Sequence, residues 1–484
     1  MPLTLTFLGA ARTVTGSKYL LDTGSRKILV DAGLFQGLKE LRERNWQDLP
    51  VAPGEIDAIV LTHAHLDHVG YLPRLVAGGF RGRVFCTAGT QDIARIVLPD
   101  SGRIQEEDAE HANRAGYSKH SPALPLYGEA DAMRALTLLQ PVGYDRPVPV
   151  VEGIEVEFIN AGHLLGSAYA RIKVEGLTLL FGGDLGRFDR PVLPDPTMVA
   201  EADYLLVEST YGDRVHDAHD DAAMLERIIK DTIGRGGRVI IPAFAVGRVE
   251  ELLYWLKRLE EERRIPVIPV FVDSPMAIDA LARYTERLRE LDADMHPEER
   301  DDKAPHGPAA HEDSGRRRQH ARKERQLCAF CTERFRTIGS AAESKELTSS
   351  KMPAIIISAS GMATGGRVLH HLRAALPDSR NTVLFAGYQA VGTRGRSLVD
   401  GASSVKIHGQ IVPVHAQVIQ IESMSAHADS NEILRWLSGF QRPPRTTFIV
   451  HGELTAMQAL ESAIHAKLGW TTKIPAHRET VTLT

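Results

Sequence analysis

Short apolar runs separated by turn residues make up roughly the first sixty positions of the chain. The runs "LTLTFLG", "KYLLDT" and "KILVDAG" predict strands, and Gly24-Ser25-Arg26 between the last two predicts a hairpin. The run "IDAIVLT" predicts a buried strand, and "YLPRLVAGG" predicts a short helix that ends at glycines. The polar stretch "HAHLDH" between them, residues 63–68, is therefore expected on a strand-to-helix loop.

The pattern of an apolar strand followed by a polar residue beside glycine then recurs. It places His163 after "EVEFINAG", Asp184 after "LTLLFGG" and Glu208 after "ADYLLV". From about residue 401 the same pattern of strands and polar residues returns, and "TTFIVHGELTAMQALESAIHAKLG" predicts a strand, His451 and a helix. We therefore expect residues 1–208 and 401–484 to form one domain.

Residues 209–400 alternate between longer helical and strand patterns. The helical stretch "AAMLERIIKDTIGRGG" precedes the strand "RVIIPAFAV" and the amphipathic helix "VEELLYWLKRLEEE". Such alternation is typical of an α/β domain with a mostly parallel sheet, which would here be inserted into the first domain. Within it, residues 300–326 contain no aliphatic side chain larger than Ala and carry eight basic against five acidic residues, a net of +3. This stretch predicts a mobile charged insertion.

Composition excludes several classes of protein. The chain has 484 residues, 43% hydrophobic and 25% charged, which is typical of a globular protein of two or three domains. Three cysteines indicate a reducing compartment, and the lack of an apolar run of about 18 residues argues against a membrane span. We expect a cytoplasmic protein. The net charge of −5 means that a polyanion would have to bind through a local cleft or through cations.

The loop "HAHLDH" has the side chains of a metal site. Alternate residues of an extended loop face the same side, so His63, His65 and Asp67 can converge while His68 begins the helix, and one loop can serve two metals. Imidazole and carboxylate ligands favour Zn²⁺, with Mn²⁺ as the alternative and iron still open. Two such metals would lower the pKa of a bridging water and support an in-line displacement at phosphorus.

These motifs resemble a known family. "HAHLDH", a downstream "GH", "GGDLG" and "HGE" resemble the signatures of the metallo-β-lactamase fold, an αββα sandwich of hydrolases with two zinc ions. "LLVESTYGD", "MSAHAD" and "FIVHGE" are similar to the three extra motifs of its β-CASP branch, which are nucleases. The resemblance covers nearly the whole chain, including "SASGMATGGR" and "GYQAVGTRGR", loops that such enzymes turn towards the substrate backbone.

The resemblance implies a role for each matching residue. One zinc ion would be held by His63, His65 and His163, the other by Asp67, His68 and His451, with Asp184 bridging the two. Asp67 also counts among the catalytic residues of this prediction. Asp31 would orient a ligand histidine, although a plain turn aspartate at a strand end stays an alternative. His427 would be the general acid that protonates the departing 3′ oxygen, and Glu208 would orient it.

His451 bears on the substrate. Members of the branch that act on RNA resemble this chain in having His at this position, whereas those specialised for DNA have Val, so the resemblance implies single-stranded RNA. The glycine-rich loop could hold phosphate through backbone N–H groups, and nearby arginines could add contacts. The predicted substrate-binding residues are Ser360, Gly361, Met362, Gly365, Gly366, Arg367, Thr393, Arg394, Arg396 and Arg248. Each arginine could instead form an ion pair within the protein.

The sequence leaves several alternatives open. Endonuclease action is favoured over exonuclease action, and hydrolysis of small esters or of DNA, or non-catalytic RNA binding, are the rival functions. Cys328 and Cys331 have zinc-ligand spacing without a second pair, so buried cysteines are the favoured interpretation. We expect no membrane partner, and a homodimer is compatible with the sequence. Because the chain begins directly with "LTLTFLGA", no N-terminal RNA-binding module is expected.

Overall fold

The computed structural model describes residues 2–116, 120–216, 220–292, 295, 329–390 and 392–484. It divides into two compact units. The first unit consists of Met1–Asp189, Asp195–Val215 and His427–Thr484, and the second of Arg190–Pro194 and His216–Ala426. The predicted charged insertion at 300–326 lies outside the described residues, as does Cys328. Among the described helices, none has the length and apolar character needed to cross a membrane.

Two seven-stranded sheets form the centre of the first unit. Across the first sheet the strands are β22 (Thr480–Thr482), β1 (Thr4–Phe7), β2 (Tyr19–Asp22), β3 (Lys27–Val30), β4 (Ala58–Val60), β5 (Arg83–Thr87) and β6 (Leu139–Val142). Across the second sheet they are β21 (Thr472–Lys473), β20 (Thr446–Ile449), β11 (Tyr204–Val207), β10 (Leu177–Phe181), β9 (Ala168–Val174), β8 (Ile154–Asn160) and β7 (Val148–Val151).

Alternation along the strands divides the apolar side chains between two cores. In β11, Tyr204 and Leu206 point into the core between the sheets, while Leu205 and Val207 point into the core beneath the helices. A strand that is buried on both faces reads as a continuous apolar run, as "YLLV" does.

Helices cover the outer faces of this pair of sheets. They are α1 (Lys39–Arg44), α2 (Leu66–Val69), α3 (Leu72–Ala77), α4 (Ala88–Ala115) and α5 (Glu129–Leu136), with α12 (Ser430–Leu437) and α13 (Leu454–Leu468) near the end of the chain. Helix α4 packs on β5 and β6, and α12 and α13 pack on the second sheet through Ile433, Met457 and Leu460. The predicted αββα sandwich is confirmed.

A parallel sheet forms the centre of the second unit. Its strands, in order, are β14 (Phe335–Thr337), β13 (Val270–Val272), β15 (Ile355–Ser358), β12 (Val239–Pro242), β16 (Thr382–Ala386) and β19 (Gln417–Ile421), and each pairing is parallel. A hairpin joins β17 (Ser404–Ile407) to β18 (Gln410–Pro413). The helices are α6 (Asp221–Gly234), α7 (Arg248–Glu261), α8 (Pro275–Glu286), α9 (Ala341–Ser349), α10 (Val368–Ala375) and α11 (Arg394–Val399). The predicted α/β architecture is confirmed.

The structure assigns residues 401–426 to the second unit, whereas the sequence placed the return to the first domain at residue 401. Strand β19 pairs in parallel with β16, and Val405, Ile407 and Val412 of the hairpin belong to the apolar core of the second unit. The pairing of β19 with a distant strand therefore decides the unit to which this segment belongs, and the local pattern of apolar and polar residues does not. Apart from the short segment Arg190–Pro194, the chain enters the second unit between residues 215 and 216, beyond the predicted residue 208.

Candidate metal centre and active site

Strand ends in the first unit deliver the polar residues that the sequence singled out. Strand β4 leads to His63, β10 leads to Asp184, β11 leads to Glu208 and β20 leads to His451. Because β11 pairs in parallel with both β10 and β20, the carboxyl ends of these three strands meet at one edge of the second sheet. Ordinary strand pairing thus brings together residues that are far apart in the chain.

The first group of side chains contains His63, His65, His163 and Asp184. The Nδ1 atom of His65 lies 3.1 Å from Nε2 of His63 and 3.2 Å from Nε2 of His163. The Oδ2 atom of Asp184 lies 3.3 Å from Nε2 of His63 and 3.5 Å from Nε2 of His163. Three imidazole nitrogens and one carboxylate oxygen therefore face a common point.

The second group contains Asp67, His68 and His451. The Nε2 atoms of the two histidines lie 3.2 Å apart, and Nε2 of His451 lies 3.4 Å from Oδ2 of Asp67. The other oxygen of Asp184, Oδ1, lies 3.2 Å from Nε2 of His68 and 3.5 Å from Nε2 of His451. Asp184 thus turns one oxygen to each group, in the arrangement that the family resemblance implies.

The side chains fit a pair of metal ions. Ligand nitrogens at about 2.0–2.1 Å from a tetrahedral zinc ion lie roughly 3.3 Å from each other, close to the spacings in both groups. Oδ1 of Asp184 is buried and accepts no hydrogen bond, although two imidazole nitrogens lie nearby. A buried carboxylate oxygen is normally satisfied, so a metal ion is a suitable partner for it.

The electrostatics of the two groups differ. Burial lowers the pKa of His63 to about 3, and burial also lowers the pKa of His65 and His163, so these rings are neutral and able to ligate. Burial acts in the same direction on His68 and His451, but neighbouring carboxylates, chiefly Asp184, outweigh it and raise the pKa of both rings. The second group therefore attracts positive charge, which a metal ion supplies in place of protons.

Hydrogen bonds outside the two groups set the tautomers of the ring nitrogens. Asp31 lies with Oδ2 2.8 Å from Nδ1 of His68 and accepts hydrogen bonds from the backbone N–H and hydroxyl of Thr62. The hydroxyl of Thr62 also lies 3.2 Å from Nδ1 of His63. When Nδ1 carries the proton in these rings, Nε2 presents its lone pair to the metal, a recurrent arrangement around bound metals. The orienting role of Asp31 stays a prediction, and its carboxylate lies within hydrogen-bond distance of the ring of His68.

Thr210 holds His451 in the same way, and no motif in the sequence predicts this contact. Its hydroxyl lies 3.2 Å from Nδ1 of His451 and 3.4 Å from the carbonyl oxygen of that residue. Donation to the carbonyl leaves the hydroxyl oxygen to accept from Nδ1–H. The sequence feature that could have indicated Thr210 is its position, since this hydroxyl residue lies two positions after Glu208 and beyond the end of the strand.

We expect that Thr210→Val weakens the second metal site about 10- to 100-fold, because the hydrogen bond that orients His451 is lost. Titration of the metal-free protein with Zn²⁺, followed by calorimetry, measures the two affinities separately. Thr210→Ser keeps the hydroxyl and is the matched control, expected to bind like the unmodified chain. Equal affinities in the Val and Ser variants would contradict the orienting role of Thr210.

His427 and Glu208 form a pair beside these groups. Nδ1 of His427 lies 3.2 Å from each carboxylate oxygen of Glu208 and 3.9 Å from Oδ2 of Asp184. The carboxylate of Glu208 also accepts a hydrogen bond from the backbone N–H of Leu185, which fixes its orientation. Burial lowers the pKa of His427, but Glu208 and then Asp184 and Asp67 outweigh it and raise that pKa to about 9. These carboxylates therefore favour the protonated form of His427.

His427 is more exposed than most of the predicted ligands, although Asp67 is partly exposed as well, at 17%. The side chain of His427 is 22% exposed, whereas those of His63, His163 and Asp184 are almost fully buried. A protonated imidazole that reaches the surface next to a metal-binding cluster can donate a proton to a bound substrate.

The predicted phosphate contacts lie in the second unit and have partners within it. Arg367 donates to Asp273 and to the carbonyl oxygens of Ile338 and Gly339. Arg394 donates to the carbonyl oxygens of Ala363 and Lys406.

The other two arginines also form ion pairs. Arg396 pairs with Asp400 across one helical turn, and buried Arg248 pairs with Glu251. Much of the hydrogen-bonding capacity of the four guanidinium groups is therefore directed to the protein.

The glycine-rich loop is closed by one of its own side chains. The backbone N–H groups of Thr364 and Gly365 donate to the hydroxyl of Ser360, and Gly395 donates to the carbonyl of Met362. Thr393 caps α11, since its hydroxyl accepts from the backbone N–H of Arg396. Two amides of the predicted phosphate cradle are thus used internally. Gly361, Gly366 and the remaining residues stay predicted contacts.

Three family models match the chain. The model described as "Metallo-beta-lactamase superfamily" matches residues 12–79, and "Beta-Casp domain" matches residues 249–398. "Zn-dependent metallo-hydrolase RNA specificity domain" matches residues 411–475. The first match includes the loop "HAHLDH", and the third includes His427 and His451.

Curated proteins resemble the chain over most of its length. Ribonuclease TTHA0252 of Thermus thermophilus is 37% identical over 93% of this chain and 94% of the relative. An RNase J-like protein of Methanocaldococcus jannaschii is 30% identical over 93% of this chain and 92% of the relative. Transcription termination factor FttA of the same organism is 30% identical over 93% of this chain and 67% of the relative.

Among solved structures, a protein of unknown function from Enterococcus faecalis matches over the whole of both chains with a TM-score of 0.54. The sequence identity of this pair is 12%, so the match bears on the fold alone.

Proposed function

Because the chain belongs to the β-CASP family of metallo-β-lactamase-fold hydrolases, we propose that it hydrolyses phosphodiester bonds of single-stranded RNA with the help of two metal ions. Zn²⁺ is the proposed metal and Mn²⁺ the alternative, since imidazole and carboxylate ligands suit both. The products would be a 5′-phosphate and a 3′-hydroxyl.

The observation that carries the proposal is the His427–Glu208 pair next to the Asp184 carboxylate. Hydrolysis of a phosphodiester requires a proton for the leaving 3′ oxygen, and a protonated imidazole supplies it. Glu208 accepts from Nδ1, so the proton that is delivered comes from Nε2. Glu208 thus orients the ring and keeps it charged until the oxygen departs.

The two ligand groups supply the rest of the reaction. Metal ions bound there would activate a water molecule and stabilise negative charge on the phosphoryl oxygens. His63, His65 and His163 with Asp184 would hold one ion, and Asp67, His68 and His451 with Asp184 the other. Asp31, Thr62 and Thr210 keep the rings of His68, His63 and His451 in the tautomer that such ligation needs.

RNA is the proposed substrate for two reasons besides the resemblance at His451. Relatives that match this chain almost end to end are named as ribonucleases, and the region that contains His427 and His451 matches a family described by RNA specificity. Hydrolysis of small esters would need the metal loop but not the second unit. Cleavage within the strand, a cytoplasmic location and a homodimer stay predictions from the sequence.

Matched RNA and DNA strands test the substrate. We expect the zinc-loaded full chain to cleave an unstructured 5′-labelled RNA and to leave the DNA of the same sequence essentially intact. The product ladder distinguishes the two modes, because internal fragments at early times indicate an endonuclease and a steady release of mononucleotides indicates an exonuclease. Equal rates on RNA and DNA would contradict the assignment to RNA, and no cleavage of either strand would contradict the proposed function.

A further inference from the structure

Exposed aromatic side chains are rare in the part of the chain that the structure describes. Three are exposed: Trp46 at 52%, Phe244 at 46% and Tyr388 at 40%. Trp46 belongs to the first unit, whereas Phe244 and Tyr388 both belong to the second. Large aromatic rings are usually buried in soluble proteins, so two that share one unit raise the question of a ligand.

Sheet topology places Phe244 and Tyr388 at one edge of the parallel sheet. Phe244 lies two residues beyond the end of β12, and Tyr388 lies two residues beyond the end of β16. These strands are adjacent and parallel, with Val239 opposite Thr382. Neighbouring strands are about 4.8 Å apart, so the two aromatic residues emerge close together at the carboxyl ends of the strands. Ligands of open α/β sheets bind at that edge.

The backbone around Phe244 is closely packed by the glycine-rich loop. A Cβ atom at Gly361 would lie 2.8 Å from the backbone nitrogen of Phe244 and 2.9 Å from its ring. Only glycine therefore lets the loop approach so closely without displacing the aromatic residue. Phe244 is thus held by the segment that the sequence predicted to face the substrate.

Gln389 ties the segment after β16 to the same loop. Its buried side chain donates hydrogen bonds from Nε2 to the carbonyl oxygens of Gly361, at 3.2 Å, and of Tyr388, at 3.0 Å. The backbone positions of both aromatic residues are thus set by packing and hydrogen bonds before any ligand arrives. Such preorganisation reduces the entropy that binding would otherwise cost.

A basic side chain follows Tyr388 in the same segment. Arg396 lies eight residues after Tyr388, in α11, and its side chain stays 40% exposed although its guanidinium pairs with Asp400. A segment that carries both an exposed aromatic ring and a partly exposed arginine suits the alternating bases and phosphates of a single strand. A lipid surface or a folded protein would not require this alternation.

We propose that Phe244 and Tyr388 form a stacking platform for the bases of single-stranded RNA at the carboxyl edge of the parallel sheet. The inference rests on the proposed function, because it assigns to the same substrate a binding surface apart from the metal ligands. Stacking uses the face of a base, which every base has, so the platform binds without a marked sequence preference. Loss of one ring should weaken RNA binding about tenfold.

The test measures RNA binding by the full, metal-loaded chain in which His427→Ala suppresses cleavage. On this background we compare Phe244→Ala and Tyr388→Ala with Trp46→Ala, which removes a somewhat more exposed ring from the first unit. Fluorescence anisotropy with a labelled oligoribonucleotide gives each Kd. We expect the Kd to rise about tenfold for Phe244→Ala and for Tyr388→Ala and to stay unchanged for Trp46→Ala. Phe244→Trp and Tyr388→Phe retain a ring and should bind like the parent.

An RNA strand with abasic sugars separates stacking from other effects. If the rings stack on bases, the parent protein with His427→Ala binds the abasic strand weakly. The two alanine substitutions then do not reduce the affinity for the abasic strand any further. Equal Kd ratios for normal and abasic RNA would overturn the proposal, as would unchanged binding of normal RNA. A shift in sedimentation coefficient without a change in Kd would also overturn it and would indicate a contact between copies of the chain. Failure of the proposed function would be seen in a different experiment, the cleavage assay, in which the unmodified protein would leave the RNA intact.

Discussion

His65→Ala should remove bound metal and reduce RNA cleavage by about 10³-fold or more. Nδ1 of His65 faces Nε2 of both His63 and His163, so its loss leaves the first group without a central ligand. Metal ions contribute several kcal/mol to transition states of this kind, and about 4 kcal/mol corresponds to a thousandfold change in rate. Metal content by mass spectrometry and single-turnover cleavage of a labelled RNA measure the two effects.

A histidine outside the site provides the control for this experiment. His465 is exposed on α13 and contacts Thr472, so His465→Ala should keep both the metal content and the rate of the unmodified chain. Metal-free protein, or the His65→Ala variant, that cleaves RNA at the full rate would contradict a metal-dependent reaction.

His427→Ala should keep the metal and lose about 10²- to 10⁴-fold in the cleavage step, the usual contribution of a general acid. His427 is not among the predicted metal ligands, so metal binding should not require it. Protonation of the leaving 3′ oxygen, in contrast, is the step proposed for His427. Single-turnover kinetics with saturating enzyme measure the cleavage step, and metal analysis of the same sample shows whether the site is intact.

A modified substrate tests the role of His427 directly. In an RNA with sulfur in place of the leaving 3′ oxygen, the thiolate departs without protonation, because its pKa is far below that of an alcohol. His427→Ala should therefore cleave this strand at close to the rate of the unmodified chain. A defect of the same size on both substrates would show that His427 acts in another way. On normal RNA, the cleavage rate of Glu208→Gln should lie between the rates of the unmodified chain and of His427→Ala. The substitution keeps a hydrogen bond to His427 but removes the charge that raises the pKa of that ring.

The ligand set could be predicted because its features are local. Four of the seven predicted ligands lie within residues 63–68, and His163, Asp184 and His451 each follow an apolar strand. Strands of one sheet present their ends at a common edge, so the pattern implied convergence before any distance was known. The assignment of each ligand to one of two groups came from the resemblance, and the structure places the side chains in those same groups.

The arginines illustrate what local patterns do not contain. Arg367 stands next to a glycine-rich loop, which suggested phosphate, yet its guanidinium donates to Asp273, 94 residues earlier in the chain. An arginine binds whichever carboxylate or carbonyl the fold brings within reach, and neighbouring sequence does not specify that partner. The same reason applies to Thr210, since its partner His451 lies 241 residues away and no local pattern indicates that contact.

The sequence by itself determined the chemistry of the protein: which side chains can ligate metal, which strands are buried and where the parallel sheet lies. These properties follow from residue type and from periodicity over a few positions. The tertiary structure alone decided which groups meet. It assigned residues 401–426 to the second unit through the pairing of β19 with β16, and it brought Phe244 and Tyr388 to one sheet edge. Strand pairing across long separations depends on the packing of the whole unit, so a local pattern does not reveal it.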